Sequence, residues 1–587
     1  MRHGIRGASL AMVAVVGAAC SSASSQGPQL QGAQAQSPAP PVAAIAARPV
    51  AAPRVAGSIR LPGSPLTPDQ QILHMLNRLG YGPRPGDVER VRQIGVAAYV
   101  EQQLSPSGIP DPALEQALPA YRVLGQTPAA LVREYPQPSQ KVLQQLNSGQ
   151  MSREEAVQMF PLDRRPAVIT AQMQAARITR AVMSERQLEE VMVDFWFNHF
   201  NVYAQKGAVK WMLPAYEREA IRPHVFGPFR DLLLATARHP AMLFYLDNWL
   251  STRADLTLPG GANGPRRAGL NENYARELME LHTLGVDGGY TQQDVIEVAR
   301  CFTGWTIDRP QQGGGFVFRP IAHDRGEKHV LGQVIPAGGG LQDGERVIDI
   351  LVHHPSTARF IATKLARRFV SDDPPPALVE RAAATFQRTD GNIRAVLVTI
   401  FTSPEFWSAE TYRVKIKTPL EVVVSAVRTL DGRIAVVVPG EGGGGPEVGA
   451  GGGVVLAREV AKLGEPLYEA QPPTGYPDRA EAWVNTGALL GRMNFALGLA
   501  HNRFRGASVD LGRFLGGADR GQPAQVLDRL LVAVLHGEAS PDTRAVLASQ
   551  LESPEITRTT AYDRVAKDTD VEKLAALVLG SPEFQRR

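Results

Sequence analysis

The stretch that decides the fold runs from Asn271 to Gly285 and reads NENYARELMELHTLG. On an α-helix, side chains three or four positions apart share a face, so Tyr274, Leu278 and Leu281 form one apolar stripe. Gly285 ends the pattern, as glycine commonly does at the end of a helix. The stretch therefore predicts an amphipathic helix with one buried face.

The same helical spacing recurs along most of the chain, for example over Glu185–His199 and Ser356–Phe369. Alternating segments typical of strands are scarce. Phe316–Arg319 and Glu327–Gln333 are candidates for one hairpin beside a run of glycines. We therefore expect a mainly α protein, a multi-helix bundle-like body with one small β-hairpin and long loops.

The polar face of the first stretch carries candidate catalytic groups. Glu277 and Glu280 are i,i+3 neighbours, a spacing that suits a shared divalent metal or separate acid and base roles. The same spacing equally fits an ion pair between Arg276 and Glu280. His282 falls at the edge of the apolar stripe, and Asn271 lies at the start of the stretch.

A second candidate region, Asp194–Val202, reads DFWFNHFNV and combines aromatic residues with His199 and Asn201. An aromatic cage with a polar centre suits a ligand or a metal. The alternative is that His199 is a core histidine that bonds a backbone carbonyl, with the aromatic side chains packed around it.

A third candidate is the pair His323 and Asp324. Together they could form a general base with its orienting carboxylate, or two metal ligands. The alternative is a charged surface turn.

The amino terminus predicts export. Arg2 and Arg6 precede the short apolar run Ala8–Ala19, which leads directly into Cys20, so residues 1–20 resemble a signal peptide with a lipobox-like cysteine. An acylated Cys20 would anchor the chain in a membrane. The alternative is simple removal of the signal peptide. Ser21 after the cysteine hints at a periplasmic or cell-surface lipoprotein of the outer membrane.

Composition divides the remaining chain. Residues 21–65 are rich in Ala, Pro, Ser and Gln and predict a disordered tether. We expect a main helical domain over residues 66–432, a glycine-rich insertion loop over 433–455, and a C-terminal helical region over 456–587 that packs on the main domain.

Charge and motifs exclude several classes of protein. Lys and Arg total 62 against 58 Asp and Glu in 587 residues, without a dense basic run, so nucleic-acid binding is not expected. Two cysteines exclude a disulfide scaffold, and Cys301 is expected to be a buried, inert thiol. Serine-hydrolase, phosphate-loop and dinucleotide motifs are not found in the sequence.

Several segments together resemble the bacterial exported family Domain of Unknown Function 1800. The resemblance covers roughly Leu66 to the C-terminus and implies an exported protein without an established activity. Members are typically encoded beside exported proteins that resemble sulfatases and phosphatases. The segments that carry the resemblance are Leu76–Asp87, Trp196–Val202, Asn271–Tyr290, Phe302–Trp305, His323–Asp324 and Pro472–Pro477.

Two functions remain open at this stage. One is an envelope enzyme, a hydrolase or lyase of a surface polymer, with or without a divalent metal. The other is a non-catalytic scaffold or maturation partner of a neighbouring exported protein of the sulfatase or phosphatase type. The enzyme requires its polar segments to meet in one cleft, with a site drawn from His199, Asn201, Asn271, Glu277, Glu280, His282, His323 and Asp324.

Overall fold

The computed structural model describes residues 59–258, 266–267, 269–436, 451–553, 556 and 568–587. The chain divides into two units, Met1–Val55 with Thr257–Arg267, and Ala56–Leu256 with Ala268–Arg587. Of the first unit, the described part is the antiparallel strand pair β1 (Thr257–Leu258) and β2 (Arg266–Arg267). The predicted signal peptide and Cys20 lie outside the described residues.

Helices dominate the large unit, which confirms the predicted mainly α class. The described residues form 24 α-helices. They are α1 (Pro68–Arg78), α2 (Asp87–Ile94), α3 (Val96–Gln103), α4 (Pro112–Ala117), α5 (Pro128–Glu134), α6 (Gln140–Asn147), α7 (Arg153–Met159), α8 (Ala167–Met183), α9 (Gln187–His199), α10 (Val209–Ala215), α11 (Phe229–Arg238), α12 (Pro240–Tyr245), α13 (Asn273–Glu277), α14 (Gln292–Phe302), α15 (Gln342–His353), α16 (Pro355–Phe369), α17 (Pro376–Arg388), α18 (Ile393–Phe401), α19 (Pro419–Thr429), α20 (Gly452–Lys462), α21 (Thr486–Ala500), α22 (Pro523–Leu535), α23 (Pro541–Gln550) and α24 (Val571–Leu579).

Local sequence fixes many helix starts. Thr67 caps α1, since its side chain accepts from the Gln70 backbone N–H while the Gln70 side chain accepts from the backbone N–H of Thr67. Thr291 and Asp294 form the same reciprocal cap at the start of α14. Such caps satisfy backbone donors that the first helical turn leaves free.

The described strands are short and pair in twos. In the large unit, β3 (Trp305–Ile307) pairs with β4 (Phe316–Phe318), β5 (Lys328–Val330) with β6 (Gln333–Ile335), and β7 (Arg433–Ile434) with β8 (Ala507–Ser508), all antiparallel.

The expected pairing of Phe316–Arg319 with Glu327–Gln333 is therefore wrong. Leu331 and Gly332 both have positive φ, 49° and 77°, which makes a tight two-residue turn. That turn folds β5 onto β6, and β4 pairs with the preceding β3 instead.

A π-helical turn, Leu278–Thr283, follows α13 within the stretch Asn271–Gly285. Tyr274 and Leu278 are buried as expected, whereas Leu281 is half-buried. The wider π turn places more residues in one turn than an α-helix does. His282, four positions after the buried Leu278, is itself buried in the core, with 1% of its surface exposed.

Two predicted boundaries differ from the structure. The chain is ordered before residue 66, since Ser64 Oγ donates to the Trp407 carbonyl at 2.8 Å. The glycine-rich loop is narrower than residues 433–455, because β7 occupies Arg433–Ile434 and α20 begins at Gly452. Residues 437–450 lie outside the described part of the chain.

Candidate functional site

A cavity of about 230 Å³ lies where two of the motif segments meet. We call it the α9 cavity, because residues from the end of α9 line it. Its other walls come from α8, α16 and the connection between α20 and α21. The polar residues that line it include Arg177, Asp194, Asn198, His199, Asn201, Lys364, Arg367, Arg368, Glu465, Tyr476, Asp478 and Arg479.

Two asparagines join α9 to the Pro472–Pro477 loop. Asn198 Nδ2 donates to the Tyr476 carbonyl at 2.8 Å, and the Tyr476 N–H donates to Asn198 Oδ1 at 2.7 Å. Asn201 Nδ2 donates to the carbonyls of Ala470 and Pro472, at 2.9 and 2.8 Å. Two segments of the resemblance thus form one structural unit.

Gly475 allows this loop to approach α9. Its φ is +68°, which non-glycine residues rarely adopt. A Cβ on Gly475 would lie 2.3 Å from the Asn198 carbonyl oxygen, so a larger residue cannot occupy the position without movement.

His199 is a neutral base in the wall of the cavity. It is 2% exposed, and its Nε2 lies 3.1 Å from the His282 carbonyl. Because a carbonyl only accepts, Nε2 carries the proton and Nδ1 keeps a free lone pair. Within the described residues Nδ1 has no hydrogen-bond partner. Burial holds the pKa of His199 well below its usual value, and the nearby Lys364 lowers it further.

His282 packs beside His199, with ring centroids 6.1 Å apart. Burial, aided by Lys364, lowers the pKa of His282 to about 3. His282 thus contacts His199 both through its ring and through its backbone carbonyl, which fixes the tautomer of His199.

Glu465 is a buried acid in the same cavity. One carboxyl oxygen, Oε2, accepts from the Leu420 N–H at 2.8 Å. Burial raises the pKa of Glu465 to about 8, and the negative charge of Asp194 contributes to the rise. Glu465 is therefore protonated at neutral pH and can donate a proton.

A charge network lies behind these groups. Arg177 pairs with Asp194 at 2.7 Å and with Glu217 at 2.9 Å, and the Tyr468 hydroxyl donates to Glu217 at 2.6 Å. Burial opposes the ionised form of Glu217, but the charge of Arg177 and its neighbours outweighs burial and lowers the pKa. This network holds α8 and α9 in fixed positions around the cavity.

The other predicted residues of the Asn271–Gly285 stretch lie outside the cavity lining. Asn271 Oδ1 accepts from the Asn273 N–H at 3.0 Å, at the start of α13. Glu280 accepts from the Tyr290 hydroxyl at 3.1 Å. Burial and the neighbouring Glu280 raise the pKa of Glu277.

The expected ion pair between Arg276 and Glu280 is not formed. Arg276 pairs with Glu272, one turn earlier, at 3.3 Å, and donates to the Gln292 side chain at 2.8 Å. Glu277 acts on Tyr245 by its charge. Burial and Glu277 raise the pKa of Tyr245, whose hydroxyl donates to the Gln471 carbonyl at 2.7 Å.

His323 and Asp324 lie in a third place, also away from the cavity lining. His323 is 1% exposed, with Nδ1 2.8 Å from the Thr303 carbonyl and Nε2 3.1 Å from Asp343. The carboxylate beside His323 is therefore Asp343, whereas Asp324 pairs with Arg300 at 2.9 Å. Both ring nitrogens of His323 have partners.

Among the described residues, we find no group of three or more His, Cys, Asp or Glu side chains that could hold a metal ion. Cys301 is buried, and burial raises the pKa of its thiol. Across the described chain, each helix is too short or too polar to cross a bilayer.

Sequence reasoning missed Lys364 and Glu465. Lys364, Arg367 and Arg368 recur at i, i+3 and i+4 along α16, which would have indicated one cationic helix face. Glu465 follows Gly464 shortly before the Pro472–Pro477 segment, but its burial could not be inferred from that position.

The fold and site define a mainly α-helical protein with a small polar cavity between its helices. The chain belongs to the family described as Protein of unknown function (DUF1800), whose model matches residues 74–586. This match confirms the resemblance found in the sequence. No curated protein and no solved structure matches the chain.

Proposed function

We propose that the protein is an exported, lipid-anchored envelope enzyme, a hydrolase or lyase that acts on a surface polymer in the α9 cavity. One observation carries the enzymatic part of the proposal. The cavity places a neutral histidine with a free ring nitrogen, His199, in the same lining as a carboxylic acid protonated at neutral pH, Glu465. Groups whose environments push their pKa values apart are suited to acid and base roles.

The two groups can support either reaction. In a hydrolase, His199 Nδ1 takes a proton from the attacking water, and Glu465 gives its proton to the oxygen that leaves. In a lyase, the same base takes a proton from the carbon next to the scissile carbon–oxygen bond. The electron pair left on that carbon then forms a double bond, and Glu465 protonates the leaving oxygen.

Asn198 and Asn201 are the positioning residues of this mechanism. Their amides fix the Pro472–Pro477 loop against α9 and so set the shape of the cavity around His199. Asn271, Glu277 and Glu280 are not among the lining residues and take no part in the proposed chemistry.

The catalytic proposal is tested on polymer prepared from the envelope of the source bacterium. New chain ends indicate cleavage, and ultraviolet absorbance from an unsaturated product distinguishes a lyase from a hydrolase. We expect His199→Gln and Glu465→Gln each to lower turnover by about 10²-fold or more. The exposed replacements His353→Gln and Glu481→Gln serve as matched controls and leave turnover unchanged.

Full turnover in both site variants would overturn the catalytic proposal. Absence of turnover in the unmodified protein, with a stoichiometric partner retained after crosslinking, would favour the scaffold function instead.

Export and anchoring are supported by the sequence alone, through the basic, apolar and cysteine pattern of residues 1–20. Labelling cells with a clickable fatty acid should mark the full-length protein and leave a Cys20→Ser variant unmarked. A label that persists in the variant would contradict anchoring through Cys20.

A further inference from the structure

We infer that the α9 cavity binds an acidic group of a polymer, a sulfate, phosphate or carboxylate, between the Lys364 ammonium and the Arg367 guanidinium. The inference deepens the proposed function and rests on it, because it names the class of substrate that the same cavity takes.

The cavity lining has an excess of positive charge. The cationic residues are Arg177, Lys364, Arg367, Arg368 and Arg479, whereas the acidic ones are Asp194, Glu465 and Asp478. Five cationic side chains thus line the cavity with three acids, and burial raises the pKa of one of these acids, Glu465, to about 8. An anion is the ligand that this charge distribution favours.

Three of the five cations already have carboxylate partners. Arg177 pairs with Asp194, Arg368 with Glu421 at 2.8 Å, and Arg479 with Asp373 at 2.8 Å. These pairs stabilise the walls of the cavity and leave their guanidinium groups less available to a ligand.

Lys364 and Arg367 differ from those three residues. Within the described chain, neither has a carboxylate oxygen within 4.0 Å. Both are half-buried, so water compensates their charges only in part. Burial lowers the pKa of Lys364 to about 8, because its ammonium is partly removed from water and has no carboxylate partner to stabilise the charge.

Their geometry suits a single anion. Lys364 and Arg367 are i,i+3 neighbours on α16 and face the same cavity. Arg367 Nε donates to the Asp372 carbonyl at 3.0 Å, which orients the guanidinium while its other nitrogens remain available. A planar guanidinium beside a mobile ammonium is a common arrangement for sulfate, phosphate or carboxylate.

The same two residues also line a wider groove next to the cavity. This groove, about 710 Å³ in volume, runs along Leu284–Asp287 and past Phe360 on α16. The two cations therefore stand where the groove and the cavity meet. A polymer can place one acidic unit between them while its neighbouring units lie in the groove.

Binding is measured by calorimetry on the full chain at low ionic strength. The probes are dextran sulfate, polygalacturonate, neutral dextran, inorganic sulfate and inorganic phosphate. We expect one of the acidic polymers to bind and neutral dextran not to bind. Lys364→Met and Arg367→Gln should each weaken that binding at least tenfold, and added salt should weaken it in the unmodified protein. The exposed replacement Lys462→Met removes one positive charge elsewhere and leaves binding unchanged.

Three results would overturn the inference: equal binding of neutral and acidic dextran, binding of the inorganic ions without either acidic polymer, or polymer binding that survives both variants. Lys364→Arg keeps the charge and should keep binding, which separates loss of charge from misfolding. Failure of the proposed function is distinguishable, because His199→Gln should lower turnover by about 10²-fold or more yet retain polymer binding. Polymer binding without turnover would support the anion-binding site at Lys364 and Arg367 and contradict only the proposed enzymatic activity.

Discussion

At the scale of single residues, Glu280 shows that helical spacing alone does not determine which partner a polar side chain bonds. The sequence allowed an ion pair with Arg276 or a role beside Glu277 in acid–base chemistry. Instead, Glu280 accepts from the Tyr290 hydroxyl, and Arg276 pairs with Glu272. Helical spacing makes several partners reachable, and the return of the chain after Gly285 brings in Tyr290 as one more.

A double-mutant cycle tests this contact. Glu280→Ala should lower the free energy of unfolding by about 1 kcal/mol, because it removes one partly exposed hydrogen bond to a charged acceptor. Chemical denaturation should give a coupling energy of about 0.5–1 kcal/mol with Tyr290→Phe and close to zero with Arg276→Ala. Equal coupling to Arg276 would contradict the contact.

Titration of Tyr290 gives an independent readout of the same hydrogen bond. Burial and Glu280 together raise the pKa of Tyr290 to about 12. The pKa should therefore move toward its ordinary value of 10.0 in Glu280→Gln, as followed by ultraviolet absorbance.

At the scale of elements, the site depends on the contact between α9 and the Pro472–Pro477 loop. The contact joins residues 278 positions apart in the sequence, through two hydrogen bonds between the Asn198 side-chain amide and the Tyr476 backbone. Gly475 makes it sterically feasible. The loop is consequently placed by the side-chain amides of Asn198 and Asn201 and by one glycine.

Gly475→Ala should separate the loop from α9. A positive φ costs a non-glycine residue about 1–2 kcal/mol, and the close approach to Asn198 adds about 1–3 kcal/mol of overpacking. Gly338→Ala is the matched control, because Gly338 has φ +88° with no atom within 4 Å of its added Cβ. Unfolding experiments should show the larger loss for Gly475→Ala, together with faster proteolysis near residue 475. Equal losses in the two variants would contradict the steric argument.

At the scale of the whole molecule, four buried histidines among the described residues are held in their neutral form. They are His74, His199, His239 and His282, and burial is the largest cause of the lowered pKa in each case. The unfolded chain binds protons at these residues below about pH 6.5, while the native protein does not. Their stabilising contribution is therefore complete above pH 6.5 and is lost as the pH falls.

Glu465 affects the pH dependence of stability in the direction opposite to that of the four histidines. Its pKa is raised to about 8, so its contribution to stability is present at low pH and is lost as the pH rises through that value. Between pH 4.5 and 6.5 the two effects oppose each other. Burial also raises the pKa of Glu277, but the lowered pKa values of the four histidines, Glu217 and Asp478 all act against stability in acid. We therefore expect stability to fall on acidification.

His239→Asn isolates one of these histidines. His239 Nδ1 accepts from the Ala241 N–H and caps α12, and asparagine is an equally good cap that does not titrate in this range. Burial lowers the pKa of His239 to about 3. Below pH 6.5 the free energy of unfolding should therefore fall less steeply with pH in the variant, by up to ~1.4 kcal/mol per pH unit. Urea denaturation at a series of pH values below 6.5 measures this pH dependence. The exposed His353→Asn should keep the full slope, and an unchanged slope in His239→Asn would contradict the buried neutral state.

The sequence by itself determined the helical class, many helix starts and the family. These features depend on local rules, since a cap such as Thr67 with Gln70 or a glycine such as Gly285 acts within a few residues. Helical periodicity is also a local rule, and it is sufficient to place His282 at the edge of the apolar stripe.

Only the tertiary structure decided which polar residues share a site. Asn201 bonds Pro472, 271 positions away, and His323 meets Asp343 rather than the adjacent Asp324. It also decided the pairing of β5 with β6 and the burial of Glu465. These contacts join segments that no local spacing relates, because they form only when the helices pack and exclude water between them.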